Sequence, residues 1–266
     1  MNKENASLSL SKIVDLATHQ IRDSTYQQAG ADTLDREGVL VLKDFILPNA
    51  LAAMVIEARE GRKSAYFCAQ NHSVYLTPPD DRFAAEHPAN RQVVSSKGCI
   101  CDDHIAANSP LRLLYDHPDF RGFVSGVTGQ TALHPYADPL SSINIHYAER
   151  GQELGWHFDN SSFAITLLIQ KPDAGAHFEY VQNLRDSVAG EMNYDGVADV
   201  LDGRAQPKVL TMEPGTLVLF RGRNSLHRVS PNESDRTRML AVLAYNDAPG
   251  VALSESARQT FYGRLD

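Results

Sequence analysis

From residue 131 to residue 245 the chain is a succession of short apolar stretches cut apart by turn residues. Residues 131–133, 142–147, 163–170, 176–181, 208–212, 216–220 and 238–245 are rich in β-branched, aromatic or alternating apolar side chains. Between them stand Asp138-Pro139, Arg150-Gly151, Pro172-Asp173-Ala174-Gly175, Glu213-Pro214-Gly215 and Pro231-Asn232. Many short strands at this rhythm point to a sandwich or jelly roll rather than a βαβ sheet. Segment 182–207 is polar and breaks the rhythm. It reads as an insertion between two strands that covers an edge or lines the entrance. The expected architecture is mainly β, a cupin-like double-stranded β-helix over 131–247, with a tail at 248–266.

The first 130 residues read as mostly helical, with one or two strands. Residues 7–23 place Leu10, Ile13, Leu16 and Ile21 near one helical face, with Ser9 or Ser11 as cap, which predicts an N-terminal helix. Residues 27–33 are polar and contain Gly and Ala, and read as a loop. The apolar run 38–42 reads as a buried strand, followed by a helix from Pro48 to about Gly61. Residues 64–108 have the length of a binding loop or lid. Ser109-Pro110 opens a second helical region that Pro118 divides and that ends near Gly126 or Gly129. These helices are expected on the outer face of the β core, making 1–266 one domain.

Composition excludes several function classes. A net charge of −8 and the absence of a long basic run argue against nucleic acid and against an anionic membrane surface. No stretch approaches the roughly 18 apolar residues of a membrane span, and the polar start has no apolar signal core. Three cysteines, Cys68, Cys99 and Cys101, give no disulfide framework and suit a reducing, cytoplasmic setting. Cys99-x-Cys101 with His104 lacks the spacing of a zinc site, so buried thiols are the simpler reading.

The chemistry concentrates in 155–163, GWHFDNSSF. On a strand, His157 and Asp159 project from the same face. Seventy residues on, His227 follows a Pro-Gly turn and an apolar strand. Two histidines and one carboxylate form the facial triad that holds Fe(II) and leaves positions open. The spacing alone is weak, because a His on a strand is more often structural. Trp156 and Phe158, by alternation, point away into the core. His146 is read as outward or structural, opposite in face to Tyr147.

The blocks NIHYAERGQELGWHFDN and VLTMEPGTLVLFRGRNSLHRVSPNESDRTRMLAVLAYND resemble the Fe(II)/2-oxoglutarate-dependent dioxygenases, above all their prolyl-hydroxylase-like branch. The likeness covers roughly residues 140–247 well and the N-terminal half loosely. It implies that His157, Asp159 and His227 hold Fe(II), with 2-oxoglutarate as cosubstrate and O2 as oxidant. Arg238, or alternatively Arg236, would bind the far carboxylate of 2-oxoglutarate through a planar fork. Tyr147 corresponds to a tyrosine that hydrogen-bonds the cosubstrate.

A narrower likeness is to hydroxylases and halogenases of free amino acids such as lysine, carried by LGWHFDNSSFAITLLIQ, the insertion after HFEYVQNLRD, and FYGR near the C-terminus. Halogenating members have Gly where Asp159 stands, which leaves room for chloride. Retention of Asp159 therefore implies hydroxylation. Asn160, Arg91, Asn246 and Tyr262 are the substrate-side candidates. Phe261, Tyr262 and Arg264 either close over the substrate or form a packed tail. The expected activity is hydroxylation of an unactivated C–H bond of a small polar substrate, a free amino acid, with 2-oxoglutarate converted to succinate; a homodimer is possible. Two alternatives stand beside it: a non-catalytic cupin-like sensor, and the same chemistry on a carrier-bound or peptidyl substrate.

Overall fold

A computed structural model describes residues 10–266. Leu10 is helical, residues 11–22 form turns and a bridge in place of the rest of the expected helix, and the part of that expectation on 7–9 lies outside the described residues. Val14 bridges Ile46, and Leu10, Ile13 and Ile21 are buried as the apolar spacing required. The helix comes one segment later, α1 (Ser24–Glu37), and takes in the residues read as a loop. Asp23 caps it by accepting from the Tyr26 N–H at 2.8 Å, and Gly38 ends it at φ 71°. Its periodicity was faint because Gly30 and Leu34 are its only buried residues.

Three further helices precede the β region: α2 (Pro48–Gly61), α3 (Pro110–Asp116) and α4 (Pro118–Thr128), each with proline in its first turn. The N-terminal half also holds three strands, more than expected: β1 (Val39–Leu42), β2 (Tyr66–Ser73) and β3 (Gln92–Ile100). The last two form a long hairpin within 64–108, where a loop or lid was expected.

The remaining strands are β4 (Ile143–Ala148), β5 (Leu154–His157), β6 (Ala164–Gln170), β7 (Phe178–Val181), β8 (Lys208–Leu210), β9 (Leu217–Phe220), β10 (Leu226–Val229) and β11 (Arg238–Leu243). Residues 131–133 form no strand. The eleven strands make one antiparallel sheet in the order β1-β9-β6-β11-β4-β3-β5-β10-β7-β8, with β2 paired to β3. The sheet curls into the jelly-roll shape, so that β5, β7 and β10 face β6, β9 and β11 across a cavity.

Alternation sorts each strand into two faces. On β11, Arg238, Leu240 and Val242 line the cavity, whereas Met239, Ala241 and Leu243 join the main apolar core. On β6, Thr166 faces in while Ile165, Leu167 and Ile169 face out. The outward set packs against Leu34, Met54, Leu111, Phe120, Phe123 and Val124 of the helices, as expected for helices on the outer face. On the opposite wall, insertion 182–207 carries α5 (Tyr194–Leu201). Its Val197 and Val200 cover Trp156, Phe158 and Leu226 on the outside of β5 and β10. The C-terminal tail ends in α6 (Glu255–Tyr262), against β2 and β3.

Candidate metal centre and active-site cavity

Strands β5 and β10 pair with His157 directly opposite His227. Register therefore places the two imidazoles side by side, ring centroids 4.1 Å apart. His157 Nδ1 donates to the Gly155 carbonyl at 2.8 Å, and His227 Nδ1 donates to the Ser225 carbonyl at 3.0 Å. A carbonyl can only accept, so each neutral ring carries its proton on Nδ1 and presents a bare Nε2 lone pair. Both Nε2 atoms lie 3.6 Å from Asp159 Oδ1. Burial pushes the His157 pKa down to about 3, aided by the neighbouring His227.

Asp159 follows the strand and is held by its N–H donating to the Gly222 carbonyl at 3.1 Å. Burial raises its pKa, but His227 and His157 together lower it further, and the net shift is downward. Its Oδ2 is buried with no hydrogen-bond partner. A Cβ on Gly222 would lie 1.8 Å from that oxygen. The carboxylate thus occupies a space that only glycine leaves. Among the described residues this is the one group of three or more His, Cys, Asp or Glu side chains whose ligand atoms converge. Two neutral imidazole lone pairs, an ionised carboxylate and one orphaned oxygen fit a divalent cation. Cys99, Cys101 and His104 form no such group.

The triad opens on a cavity of about 350 Å³. Phe178, Phe220, Leu240 and Val229 give it an apolar wall beside the triad, and the Phe220 ring stands edge-on to His227 at 4.9 Å. Arg238 lines the cavity, is only 6% exposed, and pairs with no carboxylate among the described residues. Burial alone lowers its pKa to about 10. Arg236 instead lies at the surface, 3.4 Å from Asp173. The geometry separates two arginines that the sequence left as alternatives.

Tyr147 is not in the cavity. Its hydroxyl donates to the Ala58 carbonyl at 2.7 Å, and its ring sits in the main core against the helices. The expected cosubstrate contact is corrected by register: Tyr147 pairs with Met239, and His146 with Leu240. If Arg238 and Leu240 face the cavity, His146 must face it too and Tyr147 cannot. His146, read as outward, lines the cavity 3.2 Å from the Lys97 ammonium.

Of the substrate-side candidates, Asn160 lines the cavity. Arg91 does not: it pairs with Asp202 beside the insertion helix. Asn246 exchanges backbone hydrogen bonds with His134, and Tyr262 donates to Asn144 Oδ1 at 3.0 Å beneath the sheet. Neither reaches the cavity, whereas the adjacent Phe261 does. Arg264 pairs with Asp103. Sequence reasoning passed over Cys68, Gln70 and His72 of β2 and Ser95 and Lys97 of β3, all cavity-lining. Their period-2 spacing was the available signal, obscured because the polar face of this hairpin is the inner one.

Comparison with known proteins places this fold and site. The solved structures it resembles include the non-heme α-ketoglutarate-dependent epimerase SnoN from nogalamycin biosynthesis (TM-score 0.59, 14% identity, 85% of this chain and 82% of that one). They also include the carbocyclase SnoK from the same biosynthesis (TM-score 0.58, 14% identity, 87% and 90%). A third is a Trichoplax adhaerens prolyl hydroxylase bound to a hypoxia-inducible-factor peptide (TM-score 0.54, 10% identity, 93% and 94%). The fold is that of the 2-oxoglutarate-Fe(II) oxygenases. Within it, residues 22–260 match the family described as HalD, halogenase D, and the chain belongs to that family. No curated protein matches the chain. No helix among the described residues is long and apolar enough to cross a membrane.

Proposed function

We propose that this protein is an Fe(II)/2-oxoglutarate-dependent oxygenase that hydroxylates an unactivated C–H bond of a small polar substrate, a free amino acid. The observation that carries the reading is the carboxylate of Asp159, seated in the space of Gly222 between two imidazole Nε2 atoms. In a family named for halogenation, this side chain stands where a halide would otherwise need room. When bound, Fe(II) and 2-oxoglutarate supply the oxidising chemistry that inserts one oxygen atom, with succinate and CO2 as coproducts. His157, Asp159 and His227 would hold the metal. Arg238 would bind the far carboxylate of the cosubstrate, where a buried planar fork with no carboxylate partner among the described residues is available. The apolar wall of Phe178, Phe220 and Leu240 excludes water from the reacting centre. The small cavity supports a small molecule over a peptidyl or carrier-bound substrate.

The test is a screen of free amino acids with Fe(II), ascorbate and 2-oxoglutarate, reading succinate release and a mass gain of one oxygen. Asp159→Ala should abolish hydroxylation with the far-UV circular dichroism unchanged. Coupled turnover at the full rate in that variant would sink the assignment. A sensor without catalysis would release no succinate with any substrate.

A further inference from the structure

The side chains lining the cavity include two basic groups, Arg238 and Lys97, one acid, Asp159, and the imidazoles of His72, His146, His157 and His227, which add no charge when neutral. On the Fe(II)/2-oxoglutarate reading, the two positive charges of the metal and the two negative charges of the cosubstrate offset each other. The side chains then leave one positive charge over. Uncompensated charge in a largely apolar-walled cavity is costly, and a ligand with one negative charge removes it.

Lys97 is placed to receive that ligand. Its ammonium lies 3.2 Å from His146 Nε2 and 5.3 Å from the centre of the Phe261 ring. No carboxylate among the described residues pairs with it. An ammonium has three donors, and His146 can take one. Gln70 and Cys68, on the paired strand β2, line the cavity beside it. Arg238 stands on a different strand, so the far carboxylate of one cosubstrate does not require both cations. Beyond Asp159, no acid among the described residues lines the cavity to meet a substrate ammonium.

We propose that Lys97, supported by His146 and Gln70, anchors a carboxylate of the substrate, and that this substrate is a small organic acid of net negative charge, not a dibasic amino acid of the lysine type. The proposal rests on the function proposed above and narrows it. Burial lowers the Lys97 pKa, and an arriving carboxylate would restore its charge.

The experiment begins with the wild-type protein under anaerobic conditions, reading the charge-transfer absorption that forms when Fe(II) and 2-oxoglutarate bind. No absorption would overturn both the function and this inference. With absorption present, L-glutamate, N-acetyl-L-leucine, L-leucinamide and L-lysine are titrated by calorimetry into the loaded protein. The expected result is that an anionic probe binds, and that leucinamide and L-lysine do not. Lys97→Met should weaken the anionic probe roughly 10- to 100-fold, the loss of one charge-assisted contact. Lys97→Arg should retain most of the binding and control for folding. Binding of 2-oxoglutarate should be unchanged in both variants. Failure of both anionic probes to bind, tighter binding of L-lysine, undiminished anion binding in Lys97→Met, or a loss confined to 2-oxoglutarate would each overturn the inference while leaving the oxygenase reading standing.

Discussion

At the scale of single residues, the site depends on where a few polar atoms are left without partners. Arg238 is a sequestered guanidinium with no carboxylate partner among the described residues. Arg238→Ala should raise the KM for 2-oxoglutarate roughly 10- to 100-fold in a succinate assay, from loss of a bidentate charge-assisted contact. The same change at Arg236, which pairs with Asp173 at the surface, should leave KM within about twofold. Tyr147 reverses the pattern. Tyr147→Phe removes a buried bond to the Ala58 carbonyl and should cost about 0.5–1.5 kcal/mol of stability. Denaturant titration should show that loss, with the KM for 2-oxoglutarate unaltered.

At the scale of elements, two strands and one turn hold the three side chains of the candidate metal centre in place. The β5–β10 register sets His157 against His227, and the 222–224 turn carries Gly222 against Asp159. Gly222→Ala should therefore act like damage to a ligand's supporting contacts. A methyl group 1.8 Å from Oδ2 must displace the carboxylate, and Fe(II) or Mn(II) affinity should fall roughly 10- to 100-fold. Equilibrium metal titration checks this, with circular dichroism confirming the fold. Gly155 makes a second close approach, where a Cβ would lie 2.4 Å from the Val94 carbonyl of β3. That contact is how the β2–β3 hairpin comes to complete the cavity wall.

Across the whole molecule, the sheet is a partition between a helix-backed core and a cavity. The core side is predominantly apolar, with Phe120 and Phe123 buried against Ile143, Leu167 and Leu243. Phe123→Ala should destabilise by about 3–5 kcal/mol without changing which ligands bind. The cavity side instead gathers charge from strands distant in sequence. Metal binding there should stabilise the whole fold by linkage. At a free Mn(II) concentration of 100 times its Kd, the gain is about 2.7 kcal/mol. The melting temperature should rise by several degrees, and the rise should vanish in Asp159→Ala.

Much of this was legible in the chain as written. The strand rhythm after residue 131 predicted the jelly roll; β6, β7, β8, β9 and β11 fall within the expected stretches, and β4 overruns its stretch by one residue. The spacing of His157 and Asp159, with His227 after its turn, brought three candidate ligands to notice together. What sequence could not decide was the absolute face of a strand. Alternation says that His146 and Tyr147 point opposite ways, but not which one meets the cavity. Only pairing with β11, itself oriented by its apolar face on the helices, settles that. The same limit hid Lys97 and Gln70 in a hairpin that read as a loop, whereas Arg236 and Arg238 stayed alternatives because the sequence did not show that the strand begins at Arg238. A period of two fixes relative direction locally. Inside and outside are fixed by long-range register, because only the folded sheet determines which face buries against helices and which closes around a ligand.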